Sequence, residues 1–172
     1  MYQVRTDVGE VRVGTEECFR NLLAALEDED PKVRRLAVCG LAACGGARAI
    51  DSLVDRLSDP DEDIRTRVAV ALGKIGDRRA APALVRAASG DDLPLRRVAI
   101  LALGELDAGL DVLTEALGDP DPAVRVRAAI AFGETHDVVA VEPLTRALDD
   151  ENPGVRHHAR DALEKIRESR VF

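Results

Sequence analysis

The sequence predicts an all-α fold, an α-solenoid of five stacked helical hairpins behind a short N-terminal extension. Three observations carry that prediction. One motif recurs five times, as "PKVRRLAVCGLA", "EDIRTRVAVALG", "LPLRRVAILALG", "PAVRVRAAIAFG" and "PGVRHHARDALE". Its apolar anchor falls at Val33, Ile64, Leu95, Val124 and Val155, a step of 31 residues broken once by a step of 29. Such a period is the mark of a solenoid. Each copy also holds two apolar segments at helical spacing, and the second of them begins on a helix-start signal.

The elements follow in order. Residues 1–14 are read as an extension or cap, with strand-like alternation of Val4, Val8, Val11 and Val13 around a Val8-Gly9 turn. They form either a small hairpin over the first helix or the remains of a linker, and the cap is preferred because the first hairpin is otherwise uncovered. The repeat domain, 15–172, divides into copies at about 15–45, 46–76, 77–106, 107–136 and 137–168. In each, a first segment places Leu22, Leu53, Leu84, Leu113 or Leu144 in register. These segments run to about three turns, too short to stand alone in water. Asp30, Asp61, Asp92, Asp121 or Asn152 then precedes the anchor by three residues, and Pro31, Pro122 and Pro153 follow directly in three copies. An Asx N-cap with Pro at the first helical position starts a helix. Gly45, Gly73, Gly76, Gly104 and Gly133 are read as the end of the second helix or the handover to the next copy. Around "GELDAGLDVL" two residues are missing, which either offsets the third and fourth hairpins or trims a loop. At Val38, Ala69, Ile100 and Ala129 the second helix presents an apolar residue to the following repeat; the fifth copy has Arg160 there, a polar cap.

Composition agrees with thin, similar layers. Apolar residues make up 46% and aromatics 2%, without Trp, so large aromatic anchors for one thick core are lacking. The net charge of -8 is spread along the chain, which argues against general attraction to nucleic acid or an anionic membrane. Cys18, Cys39 and Cys44 form an odd set without a CxxC pair and are expected to be reduced, mostly packed thiols. With no secretory leader and no run of eighteen apolar residues, the expectation is a soluble, cytoplasmic protein.

"DPDPAVRVRAAIAFGE" and "DPDEDIRTRVAVALGKIGD" resemble HEAT repeats of the short kind first described in phycobilin lyases. The resemblance covers about residues 15–166. It implies stacked hairpins with the second helices on the inner, concave face, and no single activity, since the family includes scaffolds, chaperones and lyase subunits.

Several features imitate sites. Arg34, Arg65, Arg96, Arg125 and Arg156 follow the anchors, and Asp28, Asp59, Asp119 and Asp150 precede them by five residues, with Gly90 in the third copy. The matched repetition points to Asp–Arg pairing between hairpins and not to a phosphate-binding ladder. His136, and the consecutive His157 and His158, are read as surface histidines without a converging carboxylate or thiol. No nucleophile, P-loop, zinc-protease or dinucleotide motif is present, so no catalytic residue, cofactor or metal is expected.

A helical wheel does mark a surface. Six residues beyond the anchors, away from the core, stand Cys39, Val70, Leu101 and Ile130, then Asp161. Arg35, Arg67, Lys74, Arg97 and Arg127 flank this stripe on one hand, Glu105 and Glu134 on the other. An apolar strip with a charged rim describes a groove for a peptide or protein; the competing reading is that curvature buries the stripe between adjacent helices. The function expected is a non-enzymatic adaptor binding a protein partner in that groove. The alternatives are a subunit of a phycobilin-lyase-like enzyme or tetrapyrrole chaperone, and a nucleic-acid-binding protein using Arg35, Arg67, Arg97 and Arg127.

Overall fold

The computed structural model describes residues 3–6, 9–12 and 16–169, the first two segments as backbone only. Strands β1 (Gln3–Thr6) and β2 (Gly9–Arg12) pair antiparallel, with Thr6 opposite Gly9 and Val4 opposite Val11. Gly9 therefore belongs to the second strand and not to the turn expected at Val8-Gly9. The side chains of Val4, Val8, Val11 and Val13, on which the expected covering of the first helix rests, lie outside what is described.

Ten α-helices follow among the described residues: α1 (Glu16–Ala25), α2 (Pro31–Cys44), α3 (Ile50–Asp55), α4 (Glu62–Ile75), α5 (Ala81–Ala88), α6 (Leu93–Glu105), α7 (Leu110–Ala116), α8 (Pro122–Thr135), α9 (Val141–Ala147) and α10 (Pro153–Glu168). They form five hairpins. The cap side chains of Asp30, Asp61, Asp92, Asp121 and Asn152 each accept a hydrogen bond from an amide in the first turn of the helix that follows, which satisfies donors that a helix N-terminus leaves open.

Each even-numbered helix packs along the next one, α2 on α4, α4 on α6, α6 on α8 and α8 on α10, while odd-numbered helices meet chiefly their own partners. The second helices thus form the more closely packed layer, the one that the resemblance to HEAT repeats places on the inner side. Leu53, Leu84, Leu113 and Leu144 are fully buried between the layers; Leu22, in the end hairpin, is half-buried. Val38, Ala69, Ile100 and Ala129 are buried against the following repeat, whereas Arg160 at the same position of α10 is exposed.

One expectation about the helix ends changes. Gly73, Gly104 and Gly133 do not end helices: they lie inside α4, α6 and α8. A Cβ built on Gly104 would stand 2.7 Å from the Ala131 Cα, and one on Gly73 3.0 Å from the Ala102 Cα, so these glycines let consecutive second helices approach closely. Gly76, at φ 73°, does cap α4 in the left-handed conformation. The shortened junction between the third and fourth copies lacks the 3-10 turn that precedes α3, α5 and α9. The chain instead reaches α7 through Asp107 at φ 47° and Gly109 at φ 70°. Packing of α6 on α8 is as extensive as elsewhere, so the deletion trims a loop.

The Asp–Arg repetition is a ladder between hairpins. Arg34 donates from Nε and Nη2 to both carboxylate oxygens of Asp59, at 2.9 and 3.0 Å. Arg125 does the same to Asp150, at 2.8 and 3.0 Å. Arg96 Nε stands 3.2 Å from Asp119 Oδ2, an ion pair off the line of a hydrogen bond. In the third copy Gly90 offers no carboxylate, and Arg65 pairs with the N-cap Asp92 at 2.6 Å. The ladder aspartates also accept the amide two residues on. At Asp59, Asp119 and Asp150 one side chain thus shapes the turn and ties it to the preceding hairpin.

Burial pushes Asp59 up, but hydrogen bonds from Arg34 and the Asp61 amide outweigh it and hold this carboxyl below the usual carboxylate range. Asp150 behaves alike, with burial outweighed by Arg125 and the Asn152 amide. A carboxyl depressed in the folded state stabilises it above the unfolded value and loses that contribution as the pH falls through the folded one. The thermal midpoint is therefore expected to be flat near neutrality and to fall below about pH 4. A midpoint unchanged down to about pH 3 would show that the ladder carries no stability.

Candidate binding groove

The inner face of the second helices holds the stripe. Cys39 and Val70 are exposed, Val70 at 40%, while Leu101 and Ile130 are half-buried. Their immediate sequence neighbours Val38, Ala69, Ile100 and Ala129 are at most 1% exposed. None of the four stripe residues packs into the core cluster. The contrast follows from helix geometry: one residue turns the side chain by about 100°, from the next repeat toward the open side.

Between α2 and α4 this face deepens into a cavity of about 400 Å³, lined by Cys39, Ala42, Ala43, Arg67, Val70 and Lys74 among others. The cause is residue size. Ala43 occupies a position where later copies carry Lys74, Glu105 and Glu134, and Cys39 is smaller than Leu101 or Ile130. Four of the residues predicted for the groove, Cys39, Arg67, Val70 and Lys74, thereby meet at one concavity.

The charged rim is largely paired within the protein. Asp63 accepts from Arg67 at 2.8 Å and from Arg35 at 3.2 Å. The Arg67 guanidinium foremost, with Arg35, lowers the Asp63 pKa. Arg97 holds Asp121 at 2.5 Å and likewise lowers its pKa. Lys165 reaches Glu134 at 2.7 Å. Lys74, Glu105 and Arg127 enter no ion pair among the described residues, and Arg127 keeps a buried Nε without a hydrogen-bond partner. This second set of inter-repeat pairs escaped the sequence reading because Arg35 and Asp63 lie 28 residues apart, and Arg97 and Asp121 24 apart. No single offset announces them.

The cysteines are less packed than expected: Cys39 and Cys44 are exposed and Cys18 half-buried. Phe19 packs against the core with the Arg48 guanidinium 4.2 Å from its ring centroid, and Phe132 is fully buried. Neither lines the groove. No helix among the described residues is long and apolar enough to cross a membrane.

A curved stack of helical hairpins with an accessible inner stripe is a repeat scaffold of the α-solenoid class. The chain belongs to the HEAT-repeat family: the model for HEAT repeats matches residues 19–104 and 110–172. Among curated proteins no sequence match was found. Among solved structures, the complex of CpcE and CpcF of phycocyanin lyase from Nostoc sp. PCC7120 superposes with a TM-score of 0.74 at 21% identity, covering 98% of this chain and 72% of that one. A designed armadillo repeat protein in complex with the peptide (KR)4 gives 0.65 at 18% identity, over 90% of this chain and 87% of that one. The archaeal HEAT-like repeats protein from Thermococcus onnurineus NA1 gives 0.61 at 18% identity, over 91% and 73%. At these identities the likeness is one of fold.

Proposed function

We propose that this protein is a non-enzymatic, cytoplasmic adaptor whose repeat domain, residues 15–172, binds a peptide or protein segment along the inner stripe. The observation that carries the reading is an apolar row off the core, exposed at Cys39 and Val70 and half-buried at Leu101 and Ile130, beside neighbours that are completely buried. Apolar side chains held on the open side of a rigid helix layer lose water on contact with a partner, and central apolar contacts dominate interface energetics. Nucleic-acid binding is disfavoured: of the four arginines it would use, Arg35, Arg67 and Arg97 already face carboxylates, and the chain carries a net charge of -8. A lyase-subunit role is the second reading, favoured by the likeness to the CpcE–CpcF complex. Against it, both described phenylalanines lie outside the groove.

The test uses peptides selected from a random library on the immobilised wild-type protein. Leu101→Glu combined with Ile130→Glu is expected to weaken a selected peptide at least tenfold while helicity and elution volume stay unchanged. Unaltered binding in the folded double variant would move the site elsewhere. Loss of the fold would assign the stripe to the core.

A further inference from the structure

The fifth hairpin departs from the others on the inner face. Where α2, α4, α6 and α8 carry an apolar residue, α10 carries Asp161, with His157 and His158 one turn earlier. At about 100° per residue, Asp161 falls between the two histidines in angle, about 40° from one and 60° from the other. The same helix therefore supplies the converging carboxylate. Donor atoms of the three side chains all lie within 4.8 Å of one another. His157 Nε2 is 3.3 Å from Asp161 Oδ2, and the two imidazole rings are 5.0 Å apart and inclined by 54°. Polarity at a solenoid end does not require this cluster, because the residue at the end-facing position is Arg160.

We infer that His157, His158 and Asp161 form a binding site for a divalent transition-metal ion, zinc foremost. Two imidazole nitrogens and one carboxylate suit a borderline-soft ion, whereas calcium and magnesium take oxygen donors. The 3.3 Å separation of Nε2 and Oδ2 matches the edge of a tetrahedron with bonds of about 2.0 Å, which is about 3.3 Å long. His158 reaches the same centre by turning its side chain, and none of the three is buried, so closure disturbs no core packing. Three protein ligands leave a fourth position for water or for a donor from a bound partner. The site rests on these three side chains alone and stands or falls separately from the groove.

Zinc chloride titrated into the full chain tests it, followed by calorimetry and by nitrogen-15 spectra of the histidine rings. One ion per chain is expected, with the His157 and His158 signals shifted and that of His136 unmoved. His158→Gln and Asp161→Asn should each weaken zinc at least tenfold without changing the metal-free melting temperature. Unchanged affinity in either variant, unmoved His157 and His158 signals, or no saturable binding below millimolar zinc would overturn the assignment. The first two outcomes would direct attention to the exposed thiols of Cys39 and Cys44.

Discussion

Replacing Arg125 by Ala is expected to lower folding stability by about 2 to 3 kcal/mol, the range for losing a charge-assisted, bidentate hydrogen-bond donor together with the partners it leaves behind. The guanidinium makes five hydrogen bonds: two to Asp150, one to Glu151, and two to the carbonyls of Asp119 and Pro120. Its side chain is 9% exposed and that of Asp150 12%, so water replaces little of what is lost. Lysine should not restore the stability, because a single ammonium cannot span both carboxylate oxygens and reach two carbonyls. Arg156 provides the contrast. It keeps the two carbonyl contacts of its own turn, to Asp150 and Glu151, but among the described residues makes no ion pair across a repeat boundary. Chemical denaturation of Arg125→Ala and Arg156→Ala should rank the first as clearly worse. Equal losses would mean that the turn contacts matter and the inter-repeat pair does not.

Gly104→Ala should destabilise by about 2 kcal/mol although alanine is the better helix former by about 1 kcal/mol. The new methyl would meet the Cα and Cβ of Ala131 at 2.7 Å and its carbonyl oxygen at 3.0 Å. Those are mostly backbone atoms of α8, and no rotamer change relieves them; α6 and α8 must separate. Gly133 occupies the same repeat position, but its Cβ would lie 3.3 Å from the Ala162 Cβ and 3.4 Å from the Ala162 Cα. There the gain in helix propensity offsets the mild crowding, and Gly133→Ala should be close to neutral. Thermal unfolding of the two variants separates the readings. Equal and stabilising effects at both sites would show that the helices do not approach closely at Gly104.

What the chain reveals on its own is whatever repeats along it. The 31-residue period, the Asx caps, the Leu register of the first helices and the Arg–Asp correspondence are local or periodic patterns, and each survives in the structure, with Asp92 standing in for the absent carboxylate at Gly90. That Cys39, Val70, Leu101 and Ile130 lie off the core was also legible, because the side of the helix they occupy follows from helical angle alone. Contacts that depend on how far apart two helices sit were not. Gly73, Gly104 and Gly133 look like helix ends in one dimension, and only the spacing of α4, α6, α8 and α10 turns them into contact points. Their recurrence nine residues after the anchor, opposite Ala102, Ala131 and Ala162 of the next copy, was the available signal. The pairing of Arg35 with Asp63 and the cavity beside Cys39 likewise arise from side chains brought together by neighbouring helices, whereas the convergence of His157, His158 and Asp161 follows from the pitch of one helix. Periodicity determines which face a residue occupies; packing distance decides what it meets there.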